Sequence, residues 1–341
     1  MRPIILAIES SCDETSAAVI SNGKLLNNIV ASQSDHAKYG GVVPELASRA
    51  HQRQIVGVVN DALVGAGVSK GDLDAIAFTR GPGLMGSLLV GVSFAKGLAL
   101  SFGIPLIEVN HMQAHVLAHF ISAGQGKGPA PSFPFLCLTV SGGHTQLVVV
   151  SDYLKMEIIG QTQDDAVGEA FDKAAKIMGL PYPGGPLVDR YAKEGNPAAF
   201  KFPNTDMPDL DFSFSGIKTA FLYFIRDHKE VDPAFVEKNL NDICASLQRV
   251  LVDMLMRRLV QASKQTGIRE VAIAGGVSAN SGLRAALLNK GNESGWKVFI
   301  PEFQYCTDNA AMIAIAAHYK YLAGDFSDLE AAPVANLDFA S

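Results

Sequence analysis

One pattern occurs twice in this chain, and it narrows the choice of folds more than any other feature. Residues 4–8 form a short apolar run closed by Glu9, the small polar turn Ser10-Ser11-Cys12-Asp13 follows, and residues 15–20 form a second apolar run. Residues 135–140, the turn Ser141-Gly142-Gly143-His144 and residues 145–150 repeat that order 130 positions later without a gap, so that Ser11 falls on Ser141, Thr15 on Thr145 and Val19 on Val149. Two apolar runs of strand length across a polar turn read as an antiparallel hairpin. In the first copy Ser21-Asn22-Gly23-Lys24 is a tight-turn signal leading to a third strand over 25–30, and in the second a strand over 156–159 follows. Two lobes opening in the same way point to a duplicated α/β domain.

Each hairpin leads into strand–helix alternation. In the first half, 75–79 reads as a strand, Gly81-Pro82-Gly83 as a turn, and a helix then runs through Leu98 before a strand over 106–109 and a histidine-bearing helix. In the second half an amphipathic helix starts at Asn241, with Ile243, Leu247, Val250, Leu251, Met254 and Leu255 on its apolar face, and ends at Gly267. A strand over 271–274, the turn Gly275-Gly276 and a helix opened by Ser281 come next. The Gly- and Pro-rich stretch 122–134 reads as a linker. The expected organisation is therefore an N-terminal lobe over 1–121, a C-terminal lobe over 135–324 with a loop-rich insertion near 181–216, and a tail over 325–341. The insertion carries one short helical pattern near 187–193, and loops of that length in compact domains are usually functional lids or binding loops.

Composition fixes the setting. With 48% apolar and 18% charged residues the chain is a folded protein. Cys12, Cys137, Cys244 and Cys306 are isolated from one another, which argues against a disulfide framework and a cysteine-built zinc site and fits a reducing cytosol. The first strand begins within four residues, leaving no room for a signal peptide. The longest apolar stretch, 88–109, contains Lys96, glycines and Pro105, and reads as a buried helix and a strand. The expectation is a soluble cytoplasmic protein with no membrane association. A net charge of −6 means that any hold on nucleic acid needs a focused basic patch or a basic partner.

The strongest chemical signal is His111-Met112-Gln113-Ala114-His115. Residues four apart share a helical face, so both imidazoles can reach one cation, and neutral imidazole suits Zn, Fe, Cu or Ni. Met112 stands where a zinc protease of the H-E-x-x-H kind needs its general base. Two ligands do not close a site, so a third comes from far along the chain, and Asp308 is the candidate; otherwise Asp308 or Thr307 caps the alanine-rich helix that follows. His119 either continues the same face or favours the negative end of the histidine helix. The competing reading of the pair is a surface helix that carries two histidines. Three glycine turns, Ser141-Gly142-Gly143-His144, Gly184-Gly185-Pro186 and Gly275-Gly276, are read as following apolar strands, where backbone N–H groups attract phosphate. None fits a phosphate-loop or dinucleotide fingerprint, and singly each is an ordinary turn. Together they imply a nucleotide-like ligand in a cleft between the lobes. Asp172 and Asp189 can accept bonds from a substrate amine or hydroxyl, or serve as solvated helix acids.

These residues resemble the universal tRNA adenosine threonylcarbamoyltransferase family, called TsaD in bacteria and once described as a glycoprotease. The resemblance rests on Glu9-Ser10-Ser11-Cys12-Asp13-Glu14-Thr15, Gly40-Gly41-Val42-Val43-Pro44-Glu45, Arg80-Gly81-Pro82-Gly83, Lys96-Gly97 through His115, Val140 through Thr145, Phe171-Asp172-Lys173, Phe212 through Gly216, Gly275 through Asn280, and Cys306-Thr307-Asp308-Asn309-Ala310. It implies duplicated actin/Hsp70/sugar-kinase-like (ribonuclease H-like) lobes. It implies transfer of threonylcarbamoyl from threonylcarbamoyl-adenylate to the exocyclic amine of the adenosine following the anticodon, in tRNAs reading codons that begin with A, with release of AMP. By position, His111, His115 and Asp308 would hold one divalent transition metal, iron in the first place and zinc as the alternative. Val140, Ser141, Gly142, Gly143, His144, Asp172, Gly185, Asp189 and Asn280 would bind the adenylate. The implied partners are tRNA, the inactive paralogue TsaB in a heterodimer, and the ATPase TsaE. No side chain stands out as general base among Asp13, Glu14 and His144. The rival readings are an ATP-dependent small-molecule kinase of the same fold and a non-catalytic actin-like scaffold, neither of which needs a transition-metal site at the histidine pair.

Overall fold

The computed structural model describes residues 3–33, 39–124, 128–204 and 207–339. The chain divides into two compact units, Met1–Ala130 with Asp152–Met156 and Pro301–Ser341, and Pro131–Ser151 with Glu157–Ile300.

In the first unit, β1 (Ile4–Glu9), β2 (Thr15–Ser21) and β3 (Lys24–Ala31) form an antiparallel meander. Asn22 and Gly23 make the turn between β2 and β3 with positive φ at both positions, the backbone that a two-residue hairpin requires. β4 (Ala75–Gly81) and β5 (Leu106–Asn110) extend the sheet in parallel with β1, in the order β3-β2-β1-β4-β5. β1 is buried on both faces, which explains why it reads as a continuous apolar run without alternation. Leu6 and Ile8 share a core with Ile55, Val58 and Val59 of α1 (Pro44–Ala66) and Val92 and Ala95 of α2 (Met85–Phe102). The pleat sends Ile5, Ala7 and Glu9 to the opposite face. That face is covered by α10 (Ala310–Ala323), whose first amide, Ala310 N–H, donates to Ser16 Oγ at 2.8 Å.

The second unit repeats the plan. β6 (Phe135–Val140), β7 (Thr145–Asp152), β8 (Lys155–Gln161), β9 (Glu270–Ala274) and β10 (Lys297–Phe299) are ordered β10-β9-β6-β7-β8, with β6 antiparallel to β7 and parallel to β9. Read from the other edge this is the strand order of the first sheet, so the duplication expected from the 130-residue offset is present as two copies of one sheet. Leu136, Leu138, Val140, Val271 and Ile273 share a core with α5 (Val167–Ile177), α7 (Ser215–Val231), α8 (Phe235–Thr266) and α9 (Ser281–Ser294).

Several boundaries differ from the expectation. Residues 301–324 belong to the first unit and not to the C-terminal lobe: α10 is buried from Ala310 through His318, and the face of the first sheet left open by α1 and α2 is where it packs. Of the expected linker over 122–134, residues 125–127 lie outside the described residues, α4 (His119–Gly124) occupies its start, and Pro131 onward joins the second unit. The helix expected from Asn241 begins at Phe235 and breaks at Asn239, so the periodic pattern marked only its straight part. Within 181–216 the short helix is α6 (Gly184–Ala192). Among the described residues α2 is long and apolar enough to cross a membrane by length and composition, with a mean hydropathy of 1.5, and its Leu88, Gly91, Val92, Ala95 and Ala99 are buried on the sheet side.

Candidate active site

The histidine pair sits where β5 ends. Asn110 closes β5 and accepts the amides of Met112 at 3.0 Å and Gln113 at 3.3 Å on its Oδ1, so it caps α3 (His111–Leu117) and starts a helix at once. His111 and His115 therefore share one face, with ring centroids 4.7 Å apart, and both are buried. Asp308 arrives 193 residues later in sequence than His115. It does not cap α10, and neither does Thr307: Asn309 does so, accepting Met312 N–H at 3.1 Å, which leaves the Asp308 carboxylate to the histidines. Asp308 Oδ1 lies 3.3 Å from His111 Nε2 and 3.2 Å from His115 Nε2, and the three ligand atoms fall within 4.8 Å of one another.

The donor set and its spacing fit a metal ion. Donors about 2.1 Å from one cation and separated by 90–109° lie about 3.0–3.4 Å apart, as Asp308 Oδ1 does from each histidine Nε2. The buried Nδ1 of His115 has no hydrogen-bond partner among the described residues, so only its Nε2 is engaged, and that atom faces Asp308. His119 is buried on α4, apart from α3, and is not in the cluster.

Behind His111 stands Glu9, the last residue of β1, fully buried. Its Oε1 accepts Ser11 N–H at 2.5 Å, and its Oε2 accepts the Thr79 hydroxyl at 2.6 Å and lies 3.0 Å from His111 Nδ1. Ser11 Oγ is 3.2 Å from the same nitrogen. Glu9, Thr79 and His111 thus come from the carboxyl ends of the parallel strands β1, β4 and β5, the edge where open α/β sheets place their ligands.

The charges follow from that crowding. Burial raises the Asp308 carboxyl, but His111 and His115 more than reverse this and hold it well below the ordinary carboxylate range. Burial opposes a charged His111, yet Asp308 and Glu9 on either side raise it well above its usual value. His115, buried and beside a charged His111, is lowered. Burial, Asp308 and Asp13 push Glu14 up to about 9, so of the three general-base candidates this one keeps its proton at neutral pH in the absence of a metal.

The second unit gathers the other expected residues. Gly275, with φ of +87°, passes so close to β6 that an added Cβ would lie 2.4 Å from the Val140 carbonyl. The turn after β6 is closed by Ser141 N–H donating to the His144 carbonyl at 2.8 Å and His144 N–H donating to Ser141 Oγ at 3.0 Å. Beside Gly142, Gly143 and Gly276 an added Cβ would meet nothing within 4 Å, so a ligand has room against that backbone. Asp172 on α5 accepts the amides of Gly184 and Gly185 at 2.8 and 2.9 Å on one oxygen, with Oδ2 on the other side of the carboxyl. Burial raises the Asp172 carboxyl and those two amides partly offset it. Asp189 Oδ1 accepts Ser281 N–H at 3.1 Å and its hydroxyl at 2.7 Å, and Asn280, which caps α9, donates to Gln248 Oε1 at 2.7 Å.

One reading is corrected here. Gly184-Gly185 does not follow a strand: it opens α6, and the apolar residues before it belong to α5 and the connection from α5. Its two amides are held by Asp172. Reading from sequence also gave no role to Glu9, Thr79, Asn110 or Gln248. The signals for Glu9 were an acidic residue closing the apolar run at 4–9 and its place at the head of the motif Glu9 through Thr15.

Comparison with known proteins agrees with this geometry. The family model of the tRNA N6-adenosine threonylcarbamoyltransferase (TsaD) matches residues 24–315. A tRNA N6-adenosine threonylcarbamoyltransferase of Cytophaga hutchinsonii is 63% identical over 333 residues, covering 98% of this chain and 96% of the relative. Among solved structures, full-length HypF in a phosphate- and nucleotide-bound form superposes with a TM-score of 0.61 at 14% identity, over 95% of this chain and 47% of that one. The ROK hexokinase of Thermus thermophilus gives 0.50 at 18%, over 94% and 99%. At such identities the structures speak for the fold alone, and they agree with duplicated sugar-kinase-like lobes. With a family model spanning most of its length and a relative identical at well over half its positions, the chain belongs to the tRNA N6-adenosine threonylcarbamoyltransferase family.

Proposed function

We propose that the protein transfers the threonylcarbamoyl group of threonylcarbamoyl-adenylate to the exocyclic amine of the adenosine following the anticodon, in tRNAs that read codons beginning with A. A bond forms between that nitrogen and the carbamoyl carbon, the bond from that carbon to the phosphate oxygen breaks, the amine gives up a proton, and AMP leaves. The observation that carries this reading is the convergence of His111, His115 and Asp308 at the carboxyl edge of the first sheet, in a chain of this family.

His111, His115 and Asp308 would hold one divalent transition metal, iron in the first place and zinc as the alternative. When bound, such an ion supplies Lewis-acid polarisation of a carbonyl. The chain's own residues do the rest. Gly142, Gly143 and Gly276 offer backbone and open space to an adenylate phosphate, in a turn that Ser141 and His144 close and with Val140 as the strand end beneath them. Asp172 keeps one oxygen on the Gly184 and Gly185 amides and turns the other to a ribose hydroxyl. Asp189 and Asn280 fix the start of α9 beside them. The net charge of −6 supports a partner that supplies part of the tRNA grip, which fits the inactive paralogue TsaB and the ATPase TsaE that the family resemblance implies. The protein works in the cytoplasm, where tRNA and reduced cysteines both belong. A kinase of this fold needs no His/His/Asp cluster, so the cluster favours the transferase.

The test uses the purified protein, threonylcarbamoyl-adenylate and unmodified tRNA reading an A-starting codon, with and without the two partners, followed by mass analysis of the digested nucleosides. Threonylcarbamoyladenosine is expected with the wild type and is lost in the His111→Ala/His115→Ala variant. No modified nucleoside from folded, metal-loaded protein with partners present would return the kinase reading to first place.

A further inference from the structure

We infer that Glu9 is the positioning residue of the metal centre: by accepting the Nδ1 proton of His111 it fixes that ring so that only Nε2 is presented to a cation. The inference rests on the reading that His111, His115 and Asp308 hold a metal.

The geometry leaves Glu9 little else to do. It is completely buried at the end of β1, where a carboxylate is costly unless every oxygen is satisfied. Oε1 is satisfied by Ser11 N–H, a backbone donor that has no acceptor role. Oε2 takes the Thr79 hydroxyl and faces His111 Nδ1 at 3.0 Å. An ionised carboxylate only accepts, so where its oxygen faces Nδ1 the proton of a singly protonated His111 belongs on that nitrogen, and the Nε2 lone pair is left for the side of Asp308. The same arrangement, a carboxylate behind a metal-bound imidazole, orients the ring and raises its basicity in metalloproteins generally, and its removal weakens metal affinity about 10–100-fold. The two histidines are treated differently: His111 has this support and His115 has none, since its own Nδ1 is buried without a partner among the described residues. His111 is therefore the ligand whose aim is set by the β-sheet, through β1 and β4, and not only by the helix that carries it.

The experiment compares full-length wild type, Glu9→Gln and Thr79→Val. Each is stripped of metal and titrated with Zn2+ against a competing chelator and with Co2+ by visible absorption, with circular dichroism checking the fold. Long-range 15N–1H correlation of the histidine rings is then recorded on the Zn2+-loaded wild type. Glu9→Gln is expected to bind Zn2+ about 10–100-fold more weakly than wild type, with an altered Co2+ spectrum. Thr79→Val, which removes a Glu9 partner and keeps the Oε2–Nδ1 contact, is expected to lose thermal stability and little affinity. The spectrum of the loaded wild type is expected to show His111 protonated on Nδ1 and ligating through Nε2. Equal Zn2+ affinity in wild type and Glu9→Gln, equal losses in Glu9→Gln and Thr79→Val, or zinc on His111 Nδ1 would each overturn the inference while leaving the metal reading standing. A wild type that takes up neither ion removes the metal reading, and the inference with it. Should Glu9→Gln not fold, the ring spectrum of the wild type decides alone.

Discussion

His111 lies between two carboxylates, with Glu9 on Nδ1 and Asp308 on Nε2, and a cation arriving at the cluster must compete with a proton held there. His111 is raised well above its usual value of 6.5, and Glu14 nearby is raised to about 9. Both groups give up protons more readily once a positive ion stands beside them. Zn2+ affinity is therefore expected to tighten from pH 6 to pH 8, by up to about tenfold per pH unit for each proton displaced. Competition titrations at pH 6, 7 and 8 check this, and a flat profile contradicts it. In the metal-free protein the sign for His111 is the reverse. Its folded value exceeds its unfolded one, so its contribution to stability is complete below the unfolded value and is lost as pH rises through the folded one. The pair His111/His115 was legible because a helix repeats nearly every four residues, and Asp308 because it lies in a run of family type. Glu9 was not legible as a partner of His111, since nothing in a sequence states that the end of the first strand and the start of a helix 102 residues on will meet.

At the scale of the element, α3 is held by a single side chain used twice. Asn110 caps the helix with Oδ1, and with Nδ2 it donates to the Asp338 carbonyl at 2.8 Å, while Gln113 donates to the Phe339 carbonyl at 2.7 Å. The C-terminal segment is further pinned by Val334 N–H on the Arg80 carbonyl and by the Ser327 hydroxyl, which accepts Glu108 N–H. Asn110→Ala is expected to cost about 0.5–2 kcal/mol of stability, the range for a lost helix cap, measured by urea unfolding of the metal-free protein. A cost indistinguishable from zero would mean that α3 is set by packing alone. The strands were the elements most plainly written in the sequence, because β1, β4, β6 and β9 are buried runs closed by turn residues. The glycine turn at Gly184 misled for the same reason: the apolar residues before it belong to the end of α5 and the connection that follows, and a short apolar run has no periodicity that separates helix from strand.

For the whole molecule the informative fact is that the first unit is completed by residues 301–341 after the second unit has intervened. Met312, Ile313 and Ile315 of α10 are essentially inaccessible to solvent. Each is worth about 1.5–3 kcal/mol in burial, so losing all three removes a sum comparable to the net stability of an ordinary domain, about 5–15 kcal/mol. A chain ending at residue 300 is therefore expected to lose the first unit, read as rapid proteolysis within 1–130, while Pro131–Ser151 and Glu157–Ile300 stay resistant. Equal resistance of the two units would contradict this. The duplication was legible from the repeated hairpin, whereas the return of the chain was not, since an alanine-rich helix says that it must be buried and not where. That return also sets an order of events during synthesis. His115 leaves the ribosome 193 residues ahead of Asp308, an interval of roughly 10 to 40 s at about 5–20 residues per second. Until that stretch is released, the two imidazoles have neither their carboxylate nor the helix that covers the sheet, so a translation product that stops before Asp308 lacks the cluster of His111, His115 and Asp308 altogether.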